Sequence, residues 1–399
     1  MRGEEVNGPG EVLGQTYMRI GIDNITAGQG FGSSAGGMIV YIPNLLRALL
    51  EVDATDEYVL FTSRDLVEFF PFESDRLTKI VCPAVPASRL QRVLYEQAVY
   101  PALIRRYDID IFLGTCNVLP LFKPCPSVVV LQSLQYFLFP NGFSWMRRKY
   151  LSSLVPLSLR RADAVIAVSE SAKRDAIQLT GIPPEKIWVV YHGVSHAVQQ
   201  AVTSDDEKVR CGARQRYSDG RPYILAISTL YHFKNYERLV KAFCLLKEQY
   251  ALPHRLVIAG QDADLTLDHL LSIAERHGRR EDLVCLGGVP HDQVATLYKG
   301  ADLLAYVSLY ETFGHPVIEA MMSGCPVVTS NTSSLPEVAG DAAYLVDPYS
   351  IEEVVDGIYR VLTDSSLRSQ LTERGFRRSS EFTWYKTARE TLKVLESVA

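Results

Sequence analysis

Two carboxylates, Glu311 and Glu319, bracket a turn-and-proline segment within Ser308–Ser330, SLYETFGHPVIEAMMSGCPVVTS. The apolar run before it reads as a strand ending near Val307, and Phe313-Gly314-His315 reads as the turn that follows. Pro316 suits the first turn of a helix, where its missing N–H costs nothing, and Gly324 with Pro326 stops that helix. Such a helix points unpaired N–H groups and the positive end of its dipole at whatever precedes it, so an anion such as a diphosphate belongs there. Carboxylates repel phosphate, so Glu311 and Glu319 suit the hydroxyls of a sugar or ribose. A cation is available at Lys234, after another predicted strand and before a helix beginning near Asn235. Any one of these side chains alone reads as a solvated surface group; it is their combination at one sheet edge that points to chemistry.

The elements that would position them follow a regular pattern. From Met18 onward short β-branched runs alternate with amphipathic stretches, the signature of a parallel sheet covered by helices. Predicted strands are Arg19–Asp23, Tyr58–Thr62, Ile109–Leu113, Val128–Leu131 and Ala164–Val168. A polar stretch between Gly193 and Pro222 interrupts the alternation and reads as a linker. It resumes with Tyr223–Ser228, Arg255–Ala259, Leu283–Leu286, Asp302–Val307 and Val327–Ser330. The expected fold is α/β, with two Rossmann-like doubly wound domains facing across a cleft. Residues 1–17 are expected to be a disordered leader, 18–200 the first domain and 201–381 the second. The amphipathic segment 382–399, with Trp384, Ala388, Leu392 and Leu395 at helical spacing, is expected to rejoin the first domain.

Glu311-Thr-Phe-Gly-His-Pro-Val-Ile-Glu319 resembles the E-x7-E signature of the family-four retaining glycosyltransferases. Further similar elements are the glycine-rich N-terminal loop with Gly36-Gly37, YHGV at Tyr191–Val194, FKN at Phe233–Asn235 and SSLPEVAGDAAYLVDP at Ser333–Pro348. The resemblance runs along nearly the whole chain from Met18 and implies the GT-B fold, with the acceptor mostly on the first domain and a nucleotide-diphosphate sugar, of UDP or GDP type, on the second. It implies that Glu319 contacts the ribose, Glu311 lies at the donor sugar, Lys234 neutralises the diphosphate, and backbone around Gly314 and His315 holds sugar hydroxyls or phosphate. Phe313, Val289, Gly36 and Gly37 complete the donor contacts. Two positions depart from the family. Thr229 stands where many members have an arginine, which leaves His232 as a weaker phosphate partner in its place. Gln132-Ser133 stands where many have His-Asp, and Gln132 can hydrogen-bond a sugar but cannot move a proton.

The chain has 399 residues, 47% hydrophobic and 22% charged, with a net charge of −5. That length favours two cores, and that charge argues against a nucleic-acid partner. Charge is uneven: residues 1–88 hold 6 Lys+Arg and 12 Asp+Glu, while 89–175 hold 12 and 6. Arg89–Arg106 and Trp145–Arg161 interleave apolar and cationic residues, as an ordinary amphipathic helix with snorkelling side chains does, or a surface that meets an anionic membrane or a lipid-linked acceptor. Gly28, Gly30 and Gly32 crowd the first strand-to-helix connection, where small residues allow close backbone approach. Asp108-Ile-Asp110 and Asp262-Ala-Asp264 mimic a metal motif but read as capping or solvated groups, and no metal or cofactor is expected. Seven scattered cysteines without C-x-x-C, and an N-terminus lacking signal-peptide features, fit a cytoplasmic enzyme, peripheral at most to the inner face of a membrane. Together these features predict a metal-independent retaining hexosyltransferase acting on a glycan, lipid-linked or small-molecule acceptor. The alternatives are a nucleotide-sugar epimerase of the same fold and a catalytically impaired nucleotide-sugar-binding protein. A glycoside hydrolase using the two glutamates would leave Lys234 and the anion site without a purpose.

Overall fold

The computed structural model describes residues 11–12, 15–25, 36–82, 95–201 and 206–399. The first sheet consists of β1 (Arg19–Asp23), β2 (Glu57–Ser63), β3 (Leu77–Cys82), β4 (Ile111–Gly114), β5 (Ser127–Leu131), β6 (Ala164–Ala167) and β7 (Ile187–Val189). All pairings are parallel, in the order β3-β2-β1-β4-β5-β6-β7. The second consists of β8 (Tyr223–Ile227), β9 (Arg255–Ala259), β10 (Leu283–Gly287), β11 (Leu303–Tyr306), β12 (Val327–Ser330) and β13 (Tyr344–Val346), parallel in the order β10-β9-β8-β11-β12-β13. The central strands are unbroken apolar runs because both faces are covered; every residue of SVVVL in β5 is buried.

Helices α1 (Gly36–Val52), α2 (Tyr100–Arg106), α3 (Gln135–Leu138), α4 (Trp145–Arg161) and α5 (Glu170–Thr180) accompany the first sheet. Then come α6 (His196–Ala201), α7 (Asp206–Ser218), α8 (Tyr236–Gln249), α9 (Leu267–Arg276), α10 (His291–Gly300) and α11 (His315–Met322). The chain ends with α12 (Leu335–Ala339), α13 (Ile351–Thr363), α14 (Ser365–Ser380) and α15 (Trp384–Glu396). The last of these does not stay with the second sheet. It packs on α1 and the first sheet, with Trp384 edge-on to Tyr41 at 5.7 Å between ring centroids.

The chain therefore passes between the sheets twice, and the two passages lie side by side. Val194 N donates to Phe382 O at 3.0 Å, and Thr387 Oγ1 donates to Tyr191 O at 2.7 Å. Gly193 is required there, because a Cβ would stand 2.4 Å from the backbone N of Trp384.

Three expectations need correction. The polar stretch read as a linker carries α6 and α7; Ala213 and Tyr217, four residues apart, give α7 a narrow buried stripe against α10, too thin for the apolar periodicity to reveal. Gly36-Gly37 open helix α1 rather than lying in a loop, whereas Gly28, Gly30 and Gly32 fall outside the described residues. In the expected leader, Glu11–Val12 pairs antiparallel with Gln15–Thr16.

Gly193→Ala should destabilise the protein by about 1–3 kcal/mol through overpacking against Trp384. Gly212→Ala, in α7 with open space around the new methyl, should stabilise by roughly 0.5–1 kcal/mol. Urea unfolding of both variants checks the pair, and an unchanged midpoint for Gly193→Ala would show that the crossing is not tightly packed.

Candidate active site

Strands β8 and β11 are neighbours at the point where the order of the second sheet reverses, so the segments that leave their carboxyl ends diverge and open a crevice. After β8 the chain makes a short turn at His232–Lys234 and enters α8 through Asn235, which has φ 65°, a left-handed conformation that Asn tolerates. The Asn235 amide donates to Val307 O at 3.0 Å and Pro348 O at 2.8 Å, and Leu309 N donates to Phe233 O at 2.8 Å. These bonds tie the turn to the segment leaving β11. Lys234 Nζ consequently meets Glu311, at 2.6 Å from Oε1 and 2.8 Å from Oε2, with the two side chains only 13% and 7% exposed. The buried hydroxyl of Tyr306 donates to Glu311 Oε1 at 2.6 Å, and Lys234 Nζ donates to that hydroxyl at 3.2 Å.

The segment from Val307 to Gly314 is itself held. Glu311 N donates to Ser333 Oγ at 3.0 Å, and Ser334 Oγ lies 2.9 Å from the carbonyl oxygens of both Glu311 and Phe313. Gly314 has φ 107°, and a Cβ there would stand 2.8 Å from Leu335 Cδ2, so glycine is needed on both counts. Helix α11 starts at His315 with Pro316 in its first turn, and the N–H groups of Gly314 and His315 have no hydrogen-bond acceptor among the described residues. That is a ready anion site. One turn into the helix, buried Glu319 accepts from Tyr298 Oη at 3.2 Å. Burial pushes its carboxyl up to about 7, against the opposing effect of hydrogen bonds from Ser195 and Tyr298.

His315 is also buried, and its imidazole is pushed down to about 4 by burial and then by the nearby His291 and Lys234. Its Nε2 lies 3.1 Å from Nδ1 of His192, which burial and His315 hold well below the ordinary histidine range. The site thus contains two neutral imidazoles in contact.

A cavity of about 910 Å³ lies between the two sheets and receives Lys234, Glu311, Glu319, Gly314 and His315. Phe313, Thr229 and Val289 line it from the second domain, and Gln132 lines it from the first. Gln132 Nε2 and His192 Nε2, both buried, find no partner among the described residues. Gly36 and Gly37 open α1, whose next turn brings Val40 to the cavity. His232 is the exception: its ring is 59% exposed, and its Nδ1 lies 3.3 Å from Asp264, whose carboxylate also accepts from His232 N at 2.8 Å. His232 is accordingly not among the residues that line the cavity, whereas Thr229 is. The other acidic pairs are structural: Asp262 accepts from Leu267 N at 3.0 Å and Asp110 from Arg19 N at 2.8 Å. Among the described residues no group of three or more His, Cys, Asp or Glu side chains could hold a metal ion.

Tyr298, Tyr306 and the pairing of His192 with His315 were not evident in the sequence. Tyr306 ends the strand before the carboxylate motif, and His192 lies in YHGV, but nothing in their spacing announces a contact.

Two parallel doubly wound domains facing across a cavity, with a cation and a helix N-terminus at its edge, have the GT-B architecture of glycosyltransferases. Residues 213–378 match the family model described as glycosyl transferases group 1, and residues 35–198 match glycosyltransferase family 4. The chain is 30% identical to O-antigen chain mannosyltransferase B of Escherichia coli over 72% of this chain and 74% of that protein. It is 28% identical to the serotype-specific mannosyltransferase WbdA of Escherichia coli over 66% of this chain, but spans only 32% of that protein's length. In fold it is similar to HepE of Anabaena, solved in complex with UDP and glucose (TM-score 0.73, 19% identity, 96% of this chain and 100% of that one). It is also similar to a sucrose-phosphate synthase from Thermosynechococcus elongatus (TM-score 0.76, 19% identity, 95% of this chain and 98% of that one). The chain belongs to the group 1 and family 4 glycosyltransferases and has the GT-B fold.

Burial of Glu319 has a consequence for stability. Its folded value of about 7 lies above the ordinary 4.5, so its protonated form adds stability that is fully present below pH 4.5 and lost as pH rises through 7. Glu319→Gln keeps a neutral group at every pH. The variant's stability relative to wild type should therefore grow between pH 5 and pH 8 by roughly 2–4 kcal/mol, at about 1.36 kcal/mol per unit. Urea unfolding at both pH values checks this, and a constant difference would show that the carboxyl is solvated.

Proposed function

We propose that the chain is a retaining, metal-independent hexosyltransferase that moves a sugar from a UDP- or GDP-linked donor to a glycan, lipid-linked or small-molecule acceptor. The observation that carries this reading is the meeting of Lys234 and Glu311 beside the free N–H groups of Gly314 and His315, in one cavity with buried Glu319. The mannosyltransferase relatives support a hexose, and the O-antigen chain named for one of them supports a role in polysaccharide synthesis; a cytoplasmic location, peripheral at the inner face of a membrane, is part of the same proposal. No helix of the described residues is long and apolar enough to cross one.

On this reading the donor diphosphate binds at the α11 N-terminus, and Glu319 accepts hydrogen bonds from the ribose. Lys234 then lies between Glu311 and the diphosphate. As the bond between the anomeric carbon and the diphosphate oxygen breaks, negative charge gathers on the leaving group. Lys234 and the helix terminus stabilise that charge more in the transition state than in the ground state. The acceptor hydroxyl forms the new bond on the same face and gives its proton to the leaving diphosphate, so configuration is retained without a protein nucleophile. Glu311 orients the donor sugar and holds Lys234 in place. The unpartnered amide of Gln132 supplies a hydrogen bond to a sugar hydroxyl, which relieves the cost of leaving it buried and unpaired.

Incubation with UDP- and GDP-hexoses and an acceptor panel, in excess EDTA, tests the proposal. Transfer should persist, and NMR of the product should show the donor's anomeric configuration. Loss of transfer restored by Mg²⁺, or an inverted product, would overturn those two parts. Lys234→Ala should lower turnover by roughly 10²–10³, as removal of one preorganised transition-state donor does. Glu319→Ala should weaken nucleoside diphosphate binding by about 1.5–3 kcal/mol, the scale of hydrogen bonds to a charged group. Glu311→Gln should behave differently from both: it releases Lys234 from its ion pair, so nucleoside diphosphate should bind at least as tightly while transfer falls. Equal losses of nucleotide affinity in the two glutamate variants would contradict the separate roles assigned to them.

A further inference from the structure

We infer that the exposed side of α4 is a docking surface for an anionic lipid bilayer and sets the edge of the cavity at the membrane surface. This deepens the proposed function, resting on it only for the lipid-linked acceptor that such a bilayer would carry.

Helix α4 buries Leu151, Val155, Ser158 and Leu159 against the first domain. Trp145, Met146, Lys149, Ser153, Leu157 and Arg160 follow one another at steps of one, three or four residues, which gathers them on the outer side of the helix. All six are exposed, Trp145 by 67% and Met146 by 58%. A single exposed apolar residue is ordinary. Here Trp, Met and Leu alternate with cations along a helix about 25 Å long, which is the composition of a helix lying in a membrane interface.

The charge of this surface has one sign. Between Asp110 and Asp163 the sequence has no acidic residue and six basic ones. Arg148, Lys149, Arg160 and Arg161 are exposed and have no carboxylate partner among the described residues; Arg160 donates instead to Thr180 O at 2.9 Å. Lys123 pairs with Asp163, just past the end of α4, and so brings its neighbour Phe122, an exposed ring, to that end of the helix. A second copy of the chain in two-fold contact through α4 would set these cations against their own counterparts, which repel. An anionic bilayer attracts them, and its interfacial region accepts Trp, Met and Leu, which a soluble polyanion does not. The chain borders the cavity at Phe143, just before α4, and again at Leu151 within it. A bilayer lying against α4 therefore reaches the edge of the cavity, where the head group of a lipid-linked acceptor enters while its hydrocarbon chain stays in the membrane.

The test floats the full chain, without donor or acceptor, on vesicles of phosphatidylcholine alone and on vesicles that also contain phosphatidylglycerol. Binding should require phosphatidylglycerol and weaken as salt is added. Arg148→Gln/Lys149→Gln/Arg161→Gln should weaken it by roughly tenfold or more, because each basic residue near an anionic surface contributes about fivefold. Arg148→Lys/Arg161→Lys should retain most of the binding, which separates charge from folding. Brominated lipid should quench tryptophan fluorescence, and Trp145→Phe should remove most of that quenching. Failure of the wild type to float, equal binding by wild type and the glutamine variant, or equal binding to phosphatidylcholine alone would each overturn the inference. So would a wild-type dimer that Trp145→Ser/Met146→Ser dissociates, since the face would then meet another copy. The acceptor is tested separately: the glutamine variant should lose transfer to an acceptor embedded in vesicles and keep transfer to a short-chain soluble one. If the wild type glycosylates no acceptor, the proposed function fails by itself, and flotation still decides the docking surface.

Discussion

An ammonium and a carboxylate buried together must stay together, because removing either one leaves the other uncompensated at a cost of about 3–5 kcal/mol. Lys234 and Glu311 are in that position, and much of the second domain's local architecture keeps them aligned. The strand order places β8 beside β11, Asn235 ties the turn after one to the segment after the other, and Tyr306 supplies a third polar contact at the pair. Ser333 and Ser334, from the segment after β12, fix the backbone of Glu311 itself. The same bonds shape the turn at Gly314, so the ion pair and the free N–H groups at the start of α11 form one rigid unit. Preorganisation of this kind is what allows charge on a leaving group to be stabilised without rearrangement during the reaction.

That unit is also bonded to the first domain. Thr312 Oγ1 donates to Gln132 O at 2.8 Å, and Ser169 Oγ donates to Thr312 O at 2.7 Å. Tyr310 Oη donates to Asp175 at 2.7 Å. Glu337 reaches across to accept from the backbone N–H groups of Glu170 and Ser171, at 2.7 and 3.0 Å, serving as a cap for α5, where a carboxylate is favoured by the helix dipole. The segment that carries Glu311 is thus the segment that joins the domains. A ligand that shifts Glu311 or Gly314 acts directly on interdomain bonds, and the paired crossings at Gly193 and Trp384 mark where such a movement would be taken up.

How much of this was legible in the sequence depended on burial. All ten strands expected from apolar runs are present, within a few residues at their ends, because a strand covered on both faces is apolar throughout. Within the two large sheets, the three strands not expected, β3, β7 and β13, are all edge strands, half-covered and mixed in composition: β3 exposes Thr78 and Val81, β7 exposes Trp188 and β13 exposes Leu345. At the site, Glu311, Gly314, His315 and Glu319 share one short segment, and local rules suffice to place them. Contacts across long separations were invisible: Lys234 with Glu311, Tyr298 with Glu319, and His192 with His315. His232 shows the converse, since the sequence makes it a candidate for the cavity, but Asp264 holds it outside.

The distribution of acids and bases across the cavity bears on how the acceptor's proton is handled. A carboxylate general base would have to stand on the acceptor side, and among the described residues the first-domain wall offers none. Asp23, at the end of β1, is buried, receives hydrogen bonds at Oδ1 from Ile25 N and Tyr100 Oη, and is not among the residues that line the cavity. Gln132, at the end of β5, carries an amide, which neither gains nor loses a proton near neutral pH. On the other wall Glu311 is committed to Lys234, and Glu319 lies within α11, beyond the N–H groups that would receive the diphosphate. Of the groups that the proposed reaction brings to the reacting carbon, the leaving diphosphate itself is the one that gains negative charge as the bond breaks. It is therefore the base that becomes stronger when a base is needed, and a transfer of this kind requires no carboxylate from the first-domain wall.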